Sequence, residues 1–292
     1  MFETDAWQRL TTELKNLFPL FRYLILQTET HAFCLALAAA ALLGFFPASV
    51  VFLTLLRNVF HWDAAYNVLL DTLTIYFPAN QKFVVRNMVV VAQGFRTRTQ
   101  ILSLLWVLLG SAGVFIPLET GLNRLWQVRE DRPYWKNQLV GFTLTIGCSA
   151  LALFFVAIST ELHSMILYLP FDIVRRATRF TVIRTTITCL FIVTTFALYK
   201  FLPNKKIETM QVVPAAIIAG LVAEVVRVVF SQMLPFLRVV ATQGPFSTSV
   251  SFLLLVYFET FVLLGGAFLA SRSERYPWMG FLKTKRSNLP PS

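Results

Sequence analysis

The sequence predicts an all-α polytopic membrane protein, with about six transmembrane helices in one bundle behind an interfacial amphipathic helix. The first observation is composition: 56% of the 292 residues are hydrophobic and only 14% are charged, against roughly 25% charged in soluble domains. The second is the presence of apolar runs near the length of about 20 residues that a spanning helix needs. The third is that these runs do not alternate apolar and polar residues, which favours helices over barrel strands.

The segment before the first apolar run has a different pattern. Apolar residues recur there at helical spacing and polar residues fill the opposite face, which predicts an amphipathic helix in the membrane interface. A helix that packs on a soluble partner is the alternative. The apolar positions are Trp7, Leu10, Leu14, Leu17, Phe18, Phe21, Leu24 and Ile25.

Six runs are candidate spans: residues 33–56, 99–118, 139–160, 185–199, 212–233 and 248–270. The fourth run is short, and a start near Phe180 would lengthen it. Between the first two spans, apolar clusters at residues 68–77 and 83–91 predict two short helices at the membrane face, with a re-entrant pair as the alternative. The predicted organisation is an N-terminal segment over residues 1–30, a transmembrane domain over 31–271 and a basic, flexible tail over 272–292.

The basic residues indicate how the chain is oriented. The net charge is +11, but Lys and Arg lie mostly between the apolar runs, where they meet anionic lipid headgroups rather than nucleic acid. With six spans, both termini lie on one side, and that side holds fifteen of the basic residues against ten on the other. This bias predicts cytoplasmic termini.

Motifs for catalysis, metal or nucleotide binding are absent from the sequence. His31, His61 and His163 stand apart from one another, no HExxH or phosphate-binding GxxxxGK[ST] pattern occurs, and no GxSxG is present. The three cysteines lie singly in apolar runs, which favours buried side chains over disulfides or zinc ligands. We therefore expect no enzyme, cofactor or metal site, and no nucleotide-driven pump within this chain.

Charged residues inside the spans are the first candidates for a substrate or ion pathway. Glu224 and Arg227 stand three residues apart, so they share a helix face and can pair. A polar pathway is one interpretation of this pair, and an intrahelical pair that reaches the interface is the other. Glu259 lies in mid-span without a cation close in sequence. It is either a functional acid or a structural hydrogen-bonding group between helices.

The loop of residues 119–135 combines arginine and tryptophan close to two span ends. Guanidinium groups bind phosphate through two hydrogen bonds, and indole rings favour the membrane interface. The loop is therefore a candidate for binding anionic headgroups. Ordinary positive-inside anchoring is the alternative. Arg124 could instead act structurally by capping the C-terminus of a neighbouring helix. The candidate residues are Asn123, Arg124, Trp126, Arg129, Arg132 and Trp135.

This loop, with its LNR-W pattern, resembles the YihY/BrkB family of bacterial inner-membrane proteins. Three other stretches are similar to that family in the same order: an alanine-rich first span with Phe46-Pro47, residues 201–204 followed by Pro214 and Glu224, and residues 264–267. Two features depart from it. Phe268 stands where relatives often have an acid, and residues 243–246 replace a Tyr-Gly pair. The acid of the sixth span is Glu259 instead, so a polar site that uses the family's acid is altered or relocated here.

The resemblance implies a six-span protein of the bacterial inner membrane with a suspected role in lipid or envelope-precursor traffic. An older family label is ribonuclease BN, but metal-dependent RNA cleavage needs a cluster of carboxylates and histidines that this sequence lacks. We expect a permease- or flippase-like protein that handles a lipid or lipid-linked envelope component. Membrane lipids, above all anionic ones, are the expected partners, and a homo-oligomer is compatible with the sequence. The alternatives are a non-transporting scaffold for envelope assembly and, more remotely, an intramembrane enzyme.

Overall fold

The computed structural model describes residues 18–76, 113–129, 132–166, 172–233 and 245–272, and every regular element in these ranges is helical. A short π-helical segment, Arg22–Leu26, precedes the first long helix. The long helices are α1 (Thr28–Thr54, continued by a π-helical turn Leu55–Val59), α2 (Asp63–Tyr76), α3 (residues 113–125), α4 (Tyr134–Ile166), α5 (Asp172–Phe201), α6 (Thr209–Met233) and α7 (Pro245–Ser271).

Within the described residues, five helices are long and apolar enough to cross a membrane: Thr28–Val59, Trp135–Leu162, Phe180–Phe201, Thr209–Met233 and Ser249–Ser271. They confirm the first, third, fourth, fifth and sixth predicted spans, and the fourth has the earlier start near Phe180. The second predicted span lies mostly outside the described residues, although its end, residues 113–118, is helical. The structure therefore confirms an all-α polytopic membrane protein.

Two other predictions are covered in part. Residues 68–76 of the first apolar cluster belong to the short helix α2, as predicted, whereas residue 77 and residues 83–91 lie outside the described residues. Of the predicted amphipathic helix, only residues 18–30 are described, and the basic tail is described only at Arg272.

Consecutive neighbours in the bundle are α1, α7, α6, α5 and α4, and α2 packs on α4. Helix α3 fits between α1 and α4: Gly113 lies against Ala40 of α1, and Gly141 of α4 lies against Phe115. The outer helix faces expose large apolar side chains such as Leu43, Ile146 and Val225. Water would disfavour so much exposed apolar surface, and lipid does not.

The two ends of the bundle differ in the size of their apolar cores. At one end, here called the polar end, α1 and α4 begin and α3 and α7 finish. Residues 126–129 and 132–133 there lie close to the loop of residues 202–208. A large apolar core lies inside this end, with Tyr199, Leu202, Leu122 and Leu264 fully buried. The opposite end, here called the far end, has a smaller core around Leu53 and Tyr66.

Glycine permits the closest approach between α6 and α7. A Cβ atom on Gly266 would lie 2.5 Å from the Tyr199 hydroxyl oxygen and 2.9 Å from the Ala219 Cβ, distances that real Cβ atoms do not tolerate. The Tyr199 hydroxyl in turn donates a hydrogen bond to the Leu263 carbonyl of α7. Small residues thus join α5, α6 and α7 closely, as is typical of helix packing in membranes.

Candidate functional site

Four charged side chains from α5, α6 and α7 form one connected group, here called the charged cluster: Arg184, Glu224, Arg227 and Glu259. Arg227 Nε lies 2.5 Å from Glu259 Oε1, and Arg227 Nη1 lies 3.2 Å from Glu224 Oε2. On the other side of Glu224, Arg184 Nη1 lies 3.3 Å from Oε1. Two guanidinium groups thus meet two carboxylates, and the cluster has no net charge when all four are ionised.

The charged cluster extends from the far end toward the middle of the bilayer. Arg184 lies four residues after Phe180, where its span begins, so its Cα is only about 6 Å deep at 1.5 Å per residue. Glu259 lies ten residues after Ser249 and twelve before Ser271, which puts about 15 Å of helix on either side. The charges therefore lead from one membrane surface to its interior.

Uncharged neighbours hold the charged cluster in place. Thr188 Oγ1 of α5 donates a 2.9 Å hydrogen bond to Glu224 Oε2. The Arg227 guanidinium carbon lies 4.8 Å from the ring centroid of Phe191, and that of Arg184 lies 4.7 Å from Phe180. Aromatic faces attract guanidinium groups without competing for their hydrogen bonds. Arg227 is the most buried member, with 8% of its side chain exposed.

The structure confirms the predicted contact between Glu224 and Arg227, and it gives Glu259 the cation that the sequence did not. Sequence reasoning missed Arg184 and Thr188. The predicted fourth span begins at residue 185, one residue after Arg184, and the earlier start at Phe180 brings Arg184 into the membrane. No local pattern links Thr188 to Glu224, since the two lie on different helices.

The predicted headgroup loop divides into a buried and an exposed part. Asn123 and Trp126 are buried. Arg132 reaches across to the 202–208 loop, where its guanidinium donates to the carbonyls of Leu202 and Pro203 at 3.1 and 3.2 Å. Its Nε donates to the Asn204 side chain at 3.1 Å, and its Nη1 lies 3.7 Å from the buried carboxylate of Glu119.

Asn123 completes this connection, because its side-chain oxygen accepts a 2.9 Å hydrogen bond from the Asn204 backbone amide. Arg132 and Asn123 thus fasten the two loops at the polar end to each other. Their hydrogen-bonding groups point into the protein, so their role in the described structure is to hold loops together.

The exposed part of the predicted loop consists of Arg124, Arg129 and Trp135. Arg124 forms an ion pair with Glu29 in the first turn of α1. Lys136 lies over the Trp135 ring at 5.3 Å. These side chains face outward at the polar end, where headgroups are available.

The polar end also contains a cavity of about 390 Å³ between the π-helical segment, α1, α3 and the end of α7. Arg124 of the predicted headgroup loop lines this cavity with its charged side chain. Neither Glu224 nor Glu259 lines the cavity. The cavity and the charged cluster are thus separate features at different depths.

Among the described residues, no three His, Cys, Asp or Glu side chains come together as a group able to hold a metal ion. The charged cluster in the spans and the arginines of the polar end are two groups of polar side chains that the fold assembles. Both are suited to binding anions or exchanging ion-pair partners.

Comparison with known proteins gives a family. The model of the family described as virulence factor BrkB matches residues 26–280. No curated protein matches the chain significantly, and neither does any solved structure. The matched region contains all five described spans, the charged cluster and the loop of residues 119–135, and on this match the chain belongs to the virulence factor BrkB family, which is also the family that its loop and span motifs resemble.

Proposed function

We propose that the chain is a permease- or flippase-like protein of the bacterial inner membrane that moves a lipid or lipid-linked envelope component. The observation that carries this proposal is the charged cluster within α5, α6 and α7. Well-packed apolar residues often replace a buried ion pair without loss of stability. Stability alone therefore gives little reason for four charges inside the spans. Intramembrane charges commonly mark a transport pathway.

The contacts of Arg227 suggest how the cluster would handle an anionic group. Arg227 contacts both carboxylates, and its Nε contact with Glu259 is 2.5 Å. A proton delivered to Glu259 would neutralise that carboxylate and release part of the guanidinium. The phosphate of an amphiphilic substrate would then replace Glu259 as a partner of Arg227, because guanidinium and phosphate form bidentate pairs. Loss of the proton would restore the original pair and release the substrate.

This cycle would use an ion gradient, which agrees with the lack of a nucleotide-binding motif in the sequence. Glu224 is the second candidate proton carrier, but Arg184, Arg227 and Thr188 all contact it. Glu259 is the better candidate, since its contact within the charged cluster is with Arg227 and it lies deepest. Arg184, near the far end, would guide the anion between the cluster and the membrane surface.

Reconstituted vesicles with labelled lipids test this proposal. We expect the wild-type protein to move an anionic lipid faster when a proton gradient is present, and we expect Glu259→Gln to lose that dependence. Glu208→Gln is the matched control, because it removes an exposed carboxylate outside the spans. If Glu224→Gln and Glu259→Gln both move lipid at the wild-type rate, the proton-carrier mechanism is wrong.

One observation favours a second function, a non-transporting scaffold for envelope assembly. Both acids of the charged cluster have ion-pair partners, and neither lines the described cavity. A scaffold would need no pathway to them. If the wild-type protein moves none of a broad panel of lipids, yet co-purifies with envelope-assembly proteins through its helix faces, the scaffold becomes the better proposal.

A further inference from the structure

The cavity at the polar end is lined by an excess of positive charge. Three guanidinium groups reach its wall from separate elements: Arg22 from the π-helical segment, Arg124 from α3 and Arg272 from the end of α7. Among the described residues of the wall, Glu29 contributes the one carboxylate, so their charges leave an excess of two positive charges. The basic residues of the sequence predict that this end is cytoplasmic, where anionic lipid headgroups concentrate.

Aromatic rings hold two of these arginines in place. The guanidinium carbon of Arg272 lies 4.2 Å from the Phe268 ring centroid, and that of Arg124 lies 5.6 Å from the Phe33 ring centroid. Both rings also line the cavity. These cation–π contacts restrain the two guanidinium groups before a ligand arrives, which lowers the entropy lost on binding. The positive charge of the cavity is thus preorganised.

The rest of the wall combines uncharged donors with an apolar side. Tyr23, Gln27 and Gln127 add hydrogen-bonding groups, whereas Phe33, Leu125 and Phe268 form an apolar surface. A volume of about 390 Å³ corresponds to roughly a dozen water molecules at about 30 Å³ each. That volume accommodates a phosphate group with a few attached carbons, and the apolar side suits the start of an acyl chain.

We infer that this cavity binds a phosphate monoester, as carried by the headgroup of an anionic lipid or by a free sugar- or glycerol-phosphate. A phosphate monoester has a charge of about −1.5 to −2 at neutral pH, which matches the excess of two positive charges. The site differs from the loop of residues 119–135, because two of its three arginines lie outside that loop. It is also independent of transport through the charged cluster.

Substitution of Glu29 tests the proposed site, because the expected change is tighter rather than weaker phosphate binding. Glu29 forms an ion pair with Arg124, and it brings a negative charge to the cavity wall. Glu29→Gln should therefore tighten phosphate binding several-fold, because the pair no longer competes for Arg124. Arg22→Gln combined with Arg272→Gln should weaken binding about tenfold or more, since charge-assisted hydrogen bonds to phosphate are lost. A variant that simply unfolds the site cannot produce the gain.

Native mass spectrometry of the full chain measures these effects. Phosphatidic acid is the lipid probe, phosphatidylcholine is the lipid control, and glycerol 3-phosphate is the soluble probe. Lys206→Gln is the matched control, because Lys206 is an exposed cation at the same end of the bundle that neither lines the cavity nor belongs to the predicted headgroup loop. Binding of phosphatidic acid alone would identify a lipid headgroup site. Binding of glycerol 3-phosphate with the same dependence on Arg22 and Arg272 would identify a site for a soluble phosphate.

The inference is overturned if the Arg22/Arg272 double variant binds both phosphate probes as the wild type does, or if Glu29→Gln weakens binding. Equal loss in Lys206→Gln also overturns it, since the effect would then be general attraction to a basic surface. None of these results bears on lipid movement through the charged cluster, which Glu259→Gln tests separately.

Discussion

Replacing Arg227 by glutamine removes the side chain that joins α6 to α7 within the membrane. Arg227 contacts Glu259 at 2.5 Å and Glu224 at 3.2 Å, and it is 8% exposed. Glu224 would keep Arg184 and Thr188, but Glu259 would lose its cation. We therefore expect most of the cost to come from a carboxylate left in mid-span without an opposite charge.

The expected loss of unfolding free energy in Arg227→Gln lies between two limits. Breaking a buried ion pair in a soluble protein costs about 3–5 kcal/mol, whereas interhelical hydrogen bonds in membranes average about 0.6 kcal/mol and reach about 1.7. Arg227 makes two contacts, and the carboxylates are about one-fifth to one-quarter exposed. We expect Arg227→Gln to lower the free energy of unfolding by about 2–3 kcal/mol. Glu259→Gln should cost about 1 kcal/mol, because Arg227 keeps Glu224.

A double-mutant cycle in mixed micelles measures the coupling, with unfolding in a denaturing detergent followed by circular dichroism. The double variant should be destabilised by at least about 1 kcal/mol less than the sum of the single variants, whereas independent sites add to within about 0.5 kcal/mol. Arg132→Gln with Glu259→Gln is the control cycle, because Arg132 belongs to the loop contacts at the polar end and is not part of the charged cluster. Additive Arg227 and Glu259 variants would refute the proposed pairing.

Three further predictions concern packing and loop structure. Gly266→Ala should destabilise the bundle by about 1–3 kcal/mol through overpacking against Tyr199. Gly147→Ala is the control and should be neutral or slightly stabilising, because nothing described lies within 4 Å of the new Cβ. Equal shifts in melting temperature for the two variants would contradict the close approach of α6 and α7. Tyr199→Phe should cost about 1 kcal/mol by removing the hydroxyl that donates to the Leu263 carbonyl of α7, and an unchanged unfolding free energy would contradict that bond. Arg132→Gln should raise amide hydrogen exchange in residues 202–206 while leaving α6 protected, and unchanged exchange would show that the two loops hold without it.

The sequence by itself determined the fold class and most of the spans. Length and uniform apolarity suffice for this, because lipid offers backbone groups no hydrogen-bond partner and a long apolar run must therefore be helical. The pairing of Glu224 with Arg227 was also predictable, since residues three apart share a helix face. The match of the BrkB family to residues 26–280 likewise agrees with the motifs that the sequence displays.

Only the tertiary structure decided which charges meet. Glu259 is 32 residues from Arg227, and Glu224 is 40 from Arg184, so no local period brings either pair together. The loop of residues 119–135 shows the same limit: Arg124, Arg129 and Arg132 are chemically alike in sequence, yet Arg132 fastens the 202–208 loop, Arg124 enters a cavity wall and Arg129 faces outward. Composition and spacing show that several arginines lie close to the ends of the spans. The packing of distant helices determines whether each one binds the protein or remains available to a ligand.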